Sequence, residues 1–268
     1  MGFWVFLYYS IAMKKVFRIL ILLGLFLNIS VLAREVKLIH ITDIDLNKKN
    51  AYKLQRTIKE INMYKDIDFV VFGGNNISKA DVENLNTFLY LVKKTKKKSY
   101  ILLGNNDVLS SSGVDKKFYM KKVARAEFRH SDKPNYVFKK NGYVFIAMDG
   151  AKQYFKSTNG YYNKEELLWL DKTLEKYKDE NVVILQHFPL LESASKWEET
   201  AKIEDYKEVL AKYNNVKVII SGHYGKNQEV RKGGIYHIVT ESYSENGAYK
   251  IIEIDLDYDF IATYLVRN

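Results

Sequence analysis

The sequence predicts an α/β fold in which two β-sheets pack together and helices cover the outside. Three observations carry this. Strand-length apolar runs alternate with segments of helical spacing through residues 35–103. An Asn141-Gly142 step between two apolar runs signals a β-hairpin. The tail holds three more strand-like runs, at residues 235–239, 249–255 and 260–266, which read as antiparallel strands.

The elements follow in order. Residues 35–42 form a β-like run ending in Asp43-Ile44-Asp45. Residues 50–64 carry Leu54, Ile58 and Ile61 at helical spacing. Residues 68–72 are a strand ending in Gly73-Gly74-Asn75-Asn76, and residues 80–94 a helix with Val82, Leu85, Phe88, Leu89 and Val92 on one face. A buried strand at 99–103 runs straight into Gly104-Asn105-Asn106-Asp107. A helix is expected over 116–129, and hairpin strands over 136–139 and 143–148, with Asp149-Gly150 as a turn. Asn163 caps a helix through Tyr177, with Glu166 placed for a capping box. Residues 182–186 are a strand ending at His187-Phe188-Pro189, residues 204–213 are helical, and the strand 216–220 ends in Ser221-Gly222-His223.

Composition narrows the function classes. The absence of Cys excludes disulfides, thiolate metal sites and Cys nucleophiles. The net charge of +10 permits contact with anionic partners, yet no basic-aromatic nucleic-acid motif stands out. The densest cluster, Lys93-Lys94-Thr95-Lys96-Lys97-Lys98, follows a helical segment, where cations complement the helix dipole. No Gly-x-Ser-x-Gly, Walker A or Gly-x-Gly-x-x-Gly pattern supports a serine hydrolase, a P-loop or a dinucleotide site.

The N-terminus reads as an address. Lys14, Lys15 and Arg18 precede an apolar stretch, and Ala33 suits signal peptidase. Residues 1–33 are expected to be a signal peptide starting at Met13, with residues 1–12 an over-extended start. One globular domain, 34–268, would remain, exported to the periplasm or secreted, with no stable membrane span after cleavage. The rival reading is an N-terminal membrane anchor, against which Arg18 and Asn28 interrupt a short apolar core.

Chemistry concentrates at the strand ends. Asp43 and Asp45 follow the first strand, Asn75 and Asn76 the second, Asn105 and Asp107 the third, and His187 and His223 two later ones. Each also suits a turn, because Asn and Asp tolerate turn backbone. Carboxylates, amide oxygens and imidazoles on one sheet edge are hard-to-borderline metal ligands. Of the other histidines, His40 reads as a sheet residue, His130 as a helix-end group and His237 as structural.

Asp43-Ile44-Asp45, Gly74-Asn75, Gly104-Asn105-Asn106-Asp107, His187 and Gly222-His223-Tyr224-Gly225 together resemble, in order and spacing, the blocks of the calcineurin-like metallophosphoesterases. That family's pattern is Asp-x-His, Gly-Asp, Gly-Asn-His-Asp, a lone His and Gly-His-x-His. The resemblance implies a four-layer αββα sandwich of two mixed sheets, a two-metal site of iron, manganese or zinc, and hydrolysis of phosphomonoesters or phosphodiesters. It assigns metal ligation to Asp43, Asp45, Asn75, Asn105, His187 and His223, and the catalytic positions to Asn106 and Asp107.

The departures fall on the chemistry. Asp45 stands for a ligand His, Asn75 for the bridging Asp, Asn106 for the catalytic His and Gly225 for the final His. Two dications about 3.5–4 Å apart repel by on the order of 20 kcal/mol at an effective dielectric of about 20, and a neutral Asn75 offsets none of it. The expectation is therefore at most one divalent ion, held by His187, His223 and Asn105 with Asp43 or Asp45, and weak hydrolysis of a phosphorylated small molecule or other phosphoester. The alternatives are an inactive member binding a phosphorylated ligand or a protein partner in the cell envelope, and an envelope interaction protein using its basic surface.

Overall fold

The computed structural model describes residues 35–126, 131–193, 195–196 and 198–268. The expected signal segment and His130 lie outside these residues. No described helix is long and apolar enough to cross a membrane.

Two mixed sheets form the centre. One has five strands in the order β11-β10-β1-β2-β3, the other six in the order β4-β5-β6-β7-β9-β8. The first contains β1 (Val36–Ile41), β2 (Phe69–Phe72), β3 (Lys98–Ile101), β10 (Tyr249–Asp255) and β11 (Phe260–Val266). The second contains β4 (Tyr136–Lys140), β5 (Tyr143–Met148), β6 (Val182–Gln186), β7 (Val216–Ser221), β8 (Gln228–Lys232) and β9 (Ile235–Val239). The helices are α1 (Ala51–Ile61), α2 (Val82–Val92), α3 (Lys116–Ala126), α4 (Lys164–Lys176), α5 (Ile203–Leu210) and α6 (Tyr243–Asn246).

Side-chain alternation assigns the faces. On β5, Phe145 and Ala147 join the core that contains β1–β3, whereas Val144, Ile146 and Met148 join the core under α4 and α5. On β6, Val183 and Leu185 go one way, Val182 and Ile184 the other. A strand buried on both faces reads as a continuous apolar run, as these do. An aromatic cluster pins the sheets together: Phe69 of β2 meets Phe145 of β5 edge-on at 5.1 Å and Phe138 of β4 at 5.4 Å.

Several expectations need correction. Residues 235–239 do not join an antiparallel tail: β9 runs parallel to β7 in the second sheet, with only β8 antiparallel to it. β8 and α6 lie in segments that carried no expectation. Asp149-Gly150 is no surface turn: Asp149 is buried and pairs with Lys116 at 2.6 Å. The helix expected over 204–213 spans Ile203–Leu210.

β1, β2 and β3 pair in parallel, as do β5, β6 and β7. Their C-terminal ends therefore carry the segments following residues 41, 72, 101, 186 and 221. This is where sheets of this kind build sites.

Candidate metal centre

Backbone geometry marks the site. Asp43 (φ 53°), Asp45 (φ 46°), Asn75 (φ 50°) and His223 (φ 71°) adopt left-handed conformations. That region is unfavourable for residues with a Cβ and collects at functional sites, where the surrounding fold enforces it. The enforcement here is close packing. A Cβ on Gly74 would lie 2.7 Å from the His187 ring, and one on Gly222 would lie 2.1 Å from Thr42 Oγ1. The chain can thus draw these loops together only with glycine before Asn75 and His223.

Asp43 is the hub. Its Oδ2 accepts from the His223 backbone N–H at 2.9 Å and from the Thr42 hydroxyl at 3.0 Å. Its Oδ1 accepts from Asn75 Nδ2 at 3.0 Å and lies 3.6 Å from His187 Nε2. Burial pushes the Asp43 carboxyl up, while these donors pull it down. Both imidazoles are held neutral: burial lowers His187 and His223 to about 4. His187 Nδ1 lies 2.8 Å from the Gly73 carbonyl, an acceptor, so Nδ1 carries the proton and Nε2 a lone pair.

Among the described residues nine buried side-chain atoms have no hydrogen-bond partner, and three of them are His187 Nε2, His223 Nε2 and Asn105 Oδ1. Uncompensated burial of such groups is costly, so each calls for an account. Asp43, His187 and His223 each offer a ligand atom, all within 4.8 Å of one another. Metal–ligand bonds of about 2.0–2.2 Å put neighbouring ligand atoms roughly 3–4 Å apart, so the set can close on one ion with small adjustments. Neutral imidazoles, with the Nε2 lone pair free in His187, a carboxylate and an amide oxygen fit a borderline divalent cation.

The remaining positions are engaged otherwise. The Asn106 backbone N–H donates to Asn75 Oδ1 at 2.9 Å, which fixes the amide so that its Nδ2 faces Asp43. Asn106 Nδ2 donates to Asp45 Oδ1 at 2.9 Å, and Ser244 Oγ donates to Asp45 Oδ2 at 3.2 Å. Asn105 Nδ2 donates to Asn106 Oδ1 at 3.1 Å, which turns Asn105 Oδ1 away as the free acceptor. Two amide N–H groups and a hydroxyl thus meet the carboxylate oxygens that a first metal of a pair would contact. Asp45 and Asn75 belong to this hydrogen-bonded half and not to the Asp43–His187–His223 cluster.

Asp107 sits beneath the loop. It is fully buried and accepts from Gly104 N–H (2.8 Å), Ile77 N–H (3.0 Å) and Asn76 Nδ2 (3.2 Å). Burial pushes its carboxyl up to about 8 against those donors. Its role is to set the loop that presents Asn105 and Asn106. Asp107→Ala would strand three buried donors, and the expected result is a loss of about 3–5 kcal/mol, read from denaturant unfolding. A loss below about 1 kcal/mol would mean that the loop holds itself.

Sequence reasoning missed Thr42, Ser244 and the Gly73 carbonyl. Thr42 adjoins Asp43 and could have been suspected, but Ser244 lies in a segment without any motif. His40 is a sheet residue as expected, fully buried with Nδ1 2.7 Å from Thr240 Oγ1. His237 is buried within β9.

Comparison with known proteins agrees with this geometry. The family profile described as calcineurin-like phosphoesterase matches residues 36–226. No curated protein matches by sequence. Among solved structures, the chain is similar to a dimetal phosphatase from Danio rerio at 14% identity, with a TM-score of 0.63 over 87% of this chain and 98% of that one. It is similar to GAP50, the anchor in the inner membrane complex of Plasmodium, at 14% identity and a TM-score of 0.60, over 87% and 84%. It also resembles TT1561 of Thermus thermophilus at 14% identity and a TM-score of 0.58, over 87% and 99%. Likeness at such identity speaks for the fold.

Proposed function

Because this chain belongs to the calcineurin-like phosphoesterase family, we propose that it binds phosphoesters at a one-metal centre and hydrolyses them slowly. One observation carries this reading. His187 and His223 each have a buried Nε2 without a hydrogen-bond partner and cluster with Asp43, while both oxygens of Asp45 are taken by amide and hydroxyl donors.

Asp43, His187, His223 and Asn105 would hold the ion, whose contribution when bound is to polarise a phosphoryl oxygen. Gly73 keeps His187 in the tautomer that offers Nε2. Thr42 and the His223 N–H hold the Asp43 carboxylate. Asn106 stands where the family's pattern has a histidine. An amide can donate a hydrogen bond but cannot give up a proton to a leaving alkoxide, and this one is committed to Asp45.

The missing acid predicts a substrate signature. Aryl phosphates, whose leaving group departs without protonation, should be hydrolysed well ahead of alkyl phosphates, by roughly 10²–10⁴-fold. The assay compares p-nitrophenyl phosphate with glycerol phosphate in manganese-supplied protein. Equal rates at an ordinary turnover of about 1–10³ s⁻¹ would mean that a proton donor exists and the site is intact. Metal uptake without turnover of either ester would favour the second reading, a phosphoester-binding protein, to which the Asn106–Asp45 hydrogen bond also points. The expected export of residues 34–268 belongs to the same proposal; N-terminal sequencing of native material checks it, and an intact residue 1–33 segment in the membrane fraction would reject cleavage.

A further inference from the structure

Beside the metal centre lies a cleft of about 580 Å³, within the range of small-molecule sites. Asn105 and Asn106 form its inner wall. The outer walls come from the segments 78–80 after β2, 108–112 after β3 and 156–159 after β5. One cleft therefore joins three loops, two of which also carry the site residues Asn75, Asn105 and Asn106.

The lining is one-sided in charge. Two cations, Lys79 and Lys156, face it, and no Asp or Glu is present among the lining residues. Lys79 has only a loose partner: Asp81 Oδ2 is 3.7 Å away, and Asp81 Oδ1 is occupied capping α2 through the N–H groups of Glu83 and Asn84. Lys156 has no ion pair among the described residues. The remaining wall mixes hydroxyl and amide groups, from Ser78, Ser157 and Asn159, with the apolar side chains of Ala80, Val108 and Leu109. Ser157 is fixed in place, taking hydrogen bonds from Lys152 Nζ at 3.2 Å and from the Asn159 N–H at 3.2 Å. No aromatic side chain is among the described residues that line the cleft. These residues offer a nucleobase no stacking platform.

We propose that this cleft receives a second anionic group of the ligand, so that the preferred ligand is a polyol or sugar phosphate with two anionic groups and no aromatic base. The inference rests on the phosphoester reading of the neighbouring centre. Lys79 and Lys156 would neutralise the second group, and the hydroxyl and amide walls would meet the carbon skeleton's hydroxyls.

Calorimetric titration with fructose 1,6-bisphosphate, fructose 6-phosphate and AMP, at one fixed ionic strength, tests it. In manganese-loaded protein the bisphosphate should bind about tenfold tighter than either monophosphate, the advantage expected of two screened cations acting together. The Lys79→Gln/Lys156→Gln variant should lose that advantage while keeping its manganese. In EDTA-treated wild type both sugar phosphates should bind alike through the cleft alone, and the double substitution should weaken both. Equal affinities in the loaded protein, a preference that survives the double substitution, or AMP binding tighter than the bisphosphate would overturn the proposal. Manganese uptake is measured separately, so a failed metal centre is distinguishable. Without uptake, lysine-dependent binding of the sugar phosphates would uphold the cleft and its absence would remove it.

Discussion

Elemental analysis of the purified chain, supplied with manganese, iron and zinc, is expected to return one ion per chain. His187→Ala and His223→Ala should each return essentially none. Removing an outer-shell partner of a metal site typically costs about 10–100-fold in affinity, and losing a ligand from so small a set should exceed that. The geometry gives an internal control. Asp45 lies outside the Asp43–His187–His223 cluster and its oxygens accept from Asn106 and Ser244, so Asp45→Asn should leave the ion bound. Asp43→Asn should not, because Asp43 Oδ1 faces His187 Nε2 and supplies the anionic charge within the cluster. Two equivalents per chain would overturn the argument from the missing bridge. No ion in wild type would leave the unpartnered His187 Nε2, His223 Nε2 and Asn105 Oδ1 without their explanation and would favour ligand binding that does not depend on metal.

The fold was legible where burial is written into local periodicity. The alternation of β1, α1, β2, α2 and β3 follows from apolar spacing, and Asn163 and Glu166 form the capping box their spacing announces. Illegible were the features decided by distant partners. β8 is an edge strand, Gln-Glu-Val-Arg-Lys, with too few apolar residues to show a period of two. β9 looks like any other tail strand; only its parallel seat beside β7 puts it in the second sheet. Asp149 reads as a turn residue because Lys116 lies far away in the chain. At the site, the positions were readable but not their allegiance. Whether Asn75 serves as an oxygen ligand or as an N–H donor depends on which way its amide points. That is settled by the Asn106 backbone N–H from another strand end. Asp45 likewise could be either a ligand or a hydrogen-bond acceptor until Ser244, 199 residues away, is seen against it.

This allegiance sets what rebuilding the family's pattern should do. The substitutions are Asp45→His, Asn75→Asp, Asn106→His and Gly225→His. Asn75→Asp alone exchanges an N–H donor 3.0 Å from Asp43 Oδ1 for a second carboxylate oxygen. Without metal, two like charges at about 4 Å repel by about 4 kcal/mol at an effective dielectric of about 20, so metal-free protein should lose up to that much stability unless it takes up a proton. With manganese the sign reverses, since the same pair becomes the anionic bridge that a second ion needs. The diagnostic is therefore a metal-dependent shift in unfolding midpoint far larger in this variant than in wild type. Asn106→His alone should gain little, because it releases Asp45 without supplying the ion that would polarise a phosphoryl group. At position 225 there is room: the nearest atom to a Cβ there is Glu245 Oε1 at 3.7 Å, although φ of 66° makes any side chain strained. Groups that act as a unit give non-additive effects, so the quadruple variant should exceed the combined gains of the single ones. Rates for p-nitrophenyl phosphate and glycerol phosphate are the readout. The alkyl ester should benefit most, since the imidazole introduced by Asn106→His would restore the missing proton donor. If the folded quadruple variant binds two ions and still hydrolyses neither ester faster than wild type, then the loops, and not the replaced side chains, limit the chemistry, and the hydrolase reading falls in favour of ligand binding.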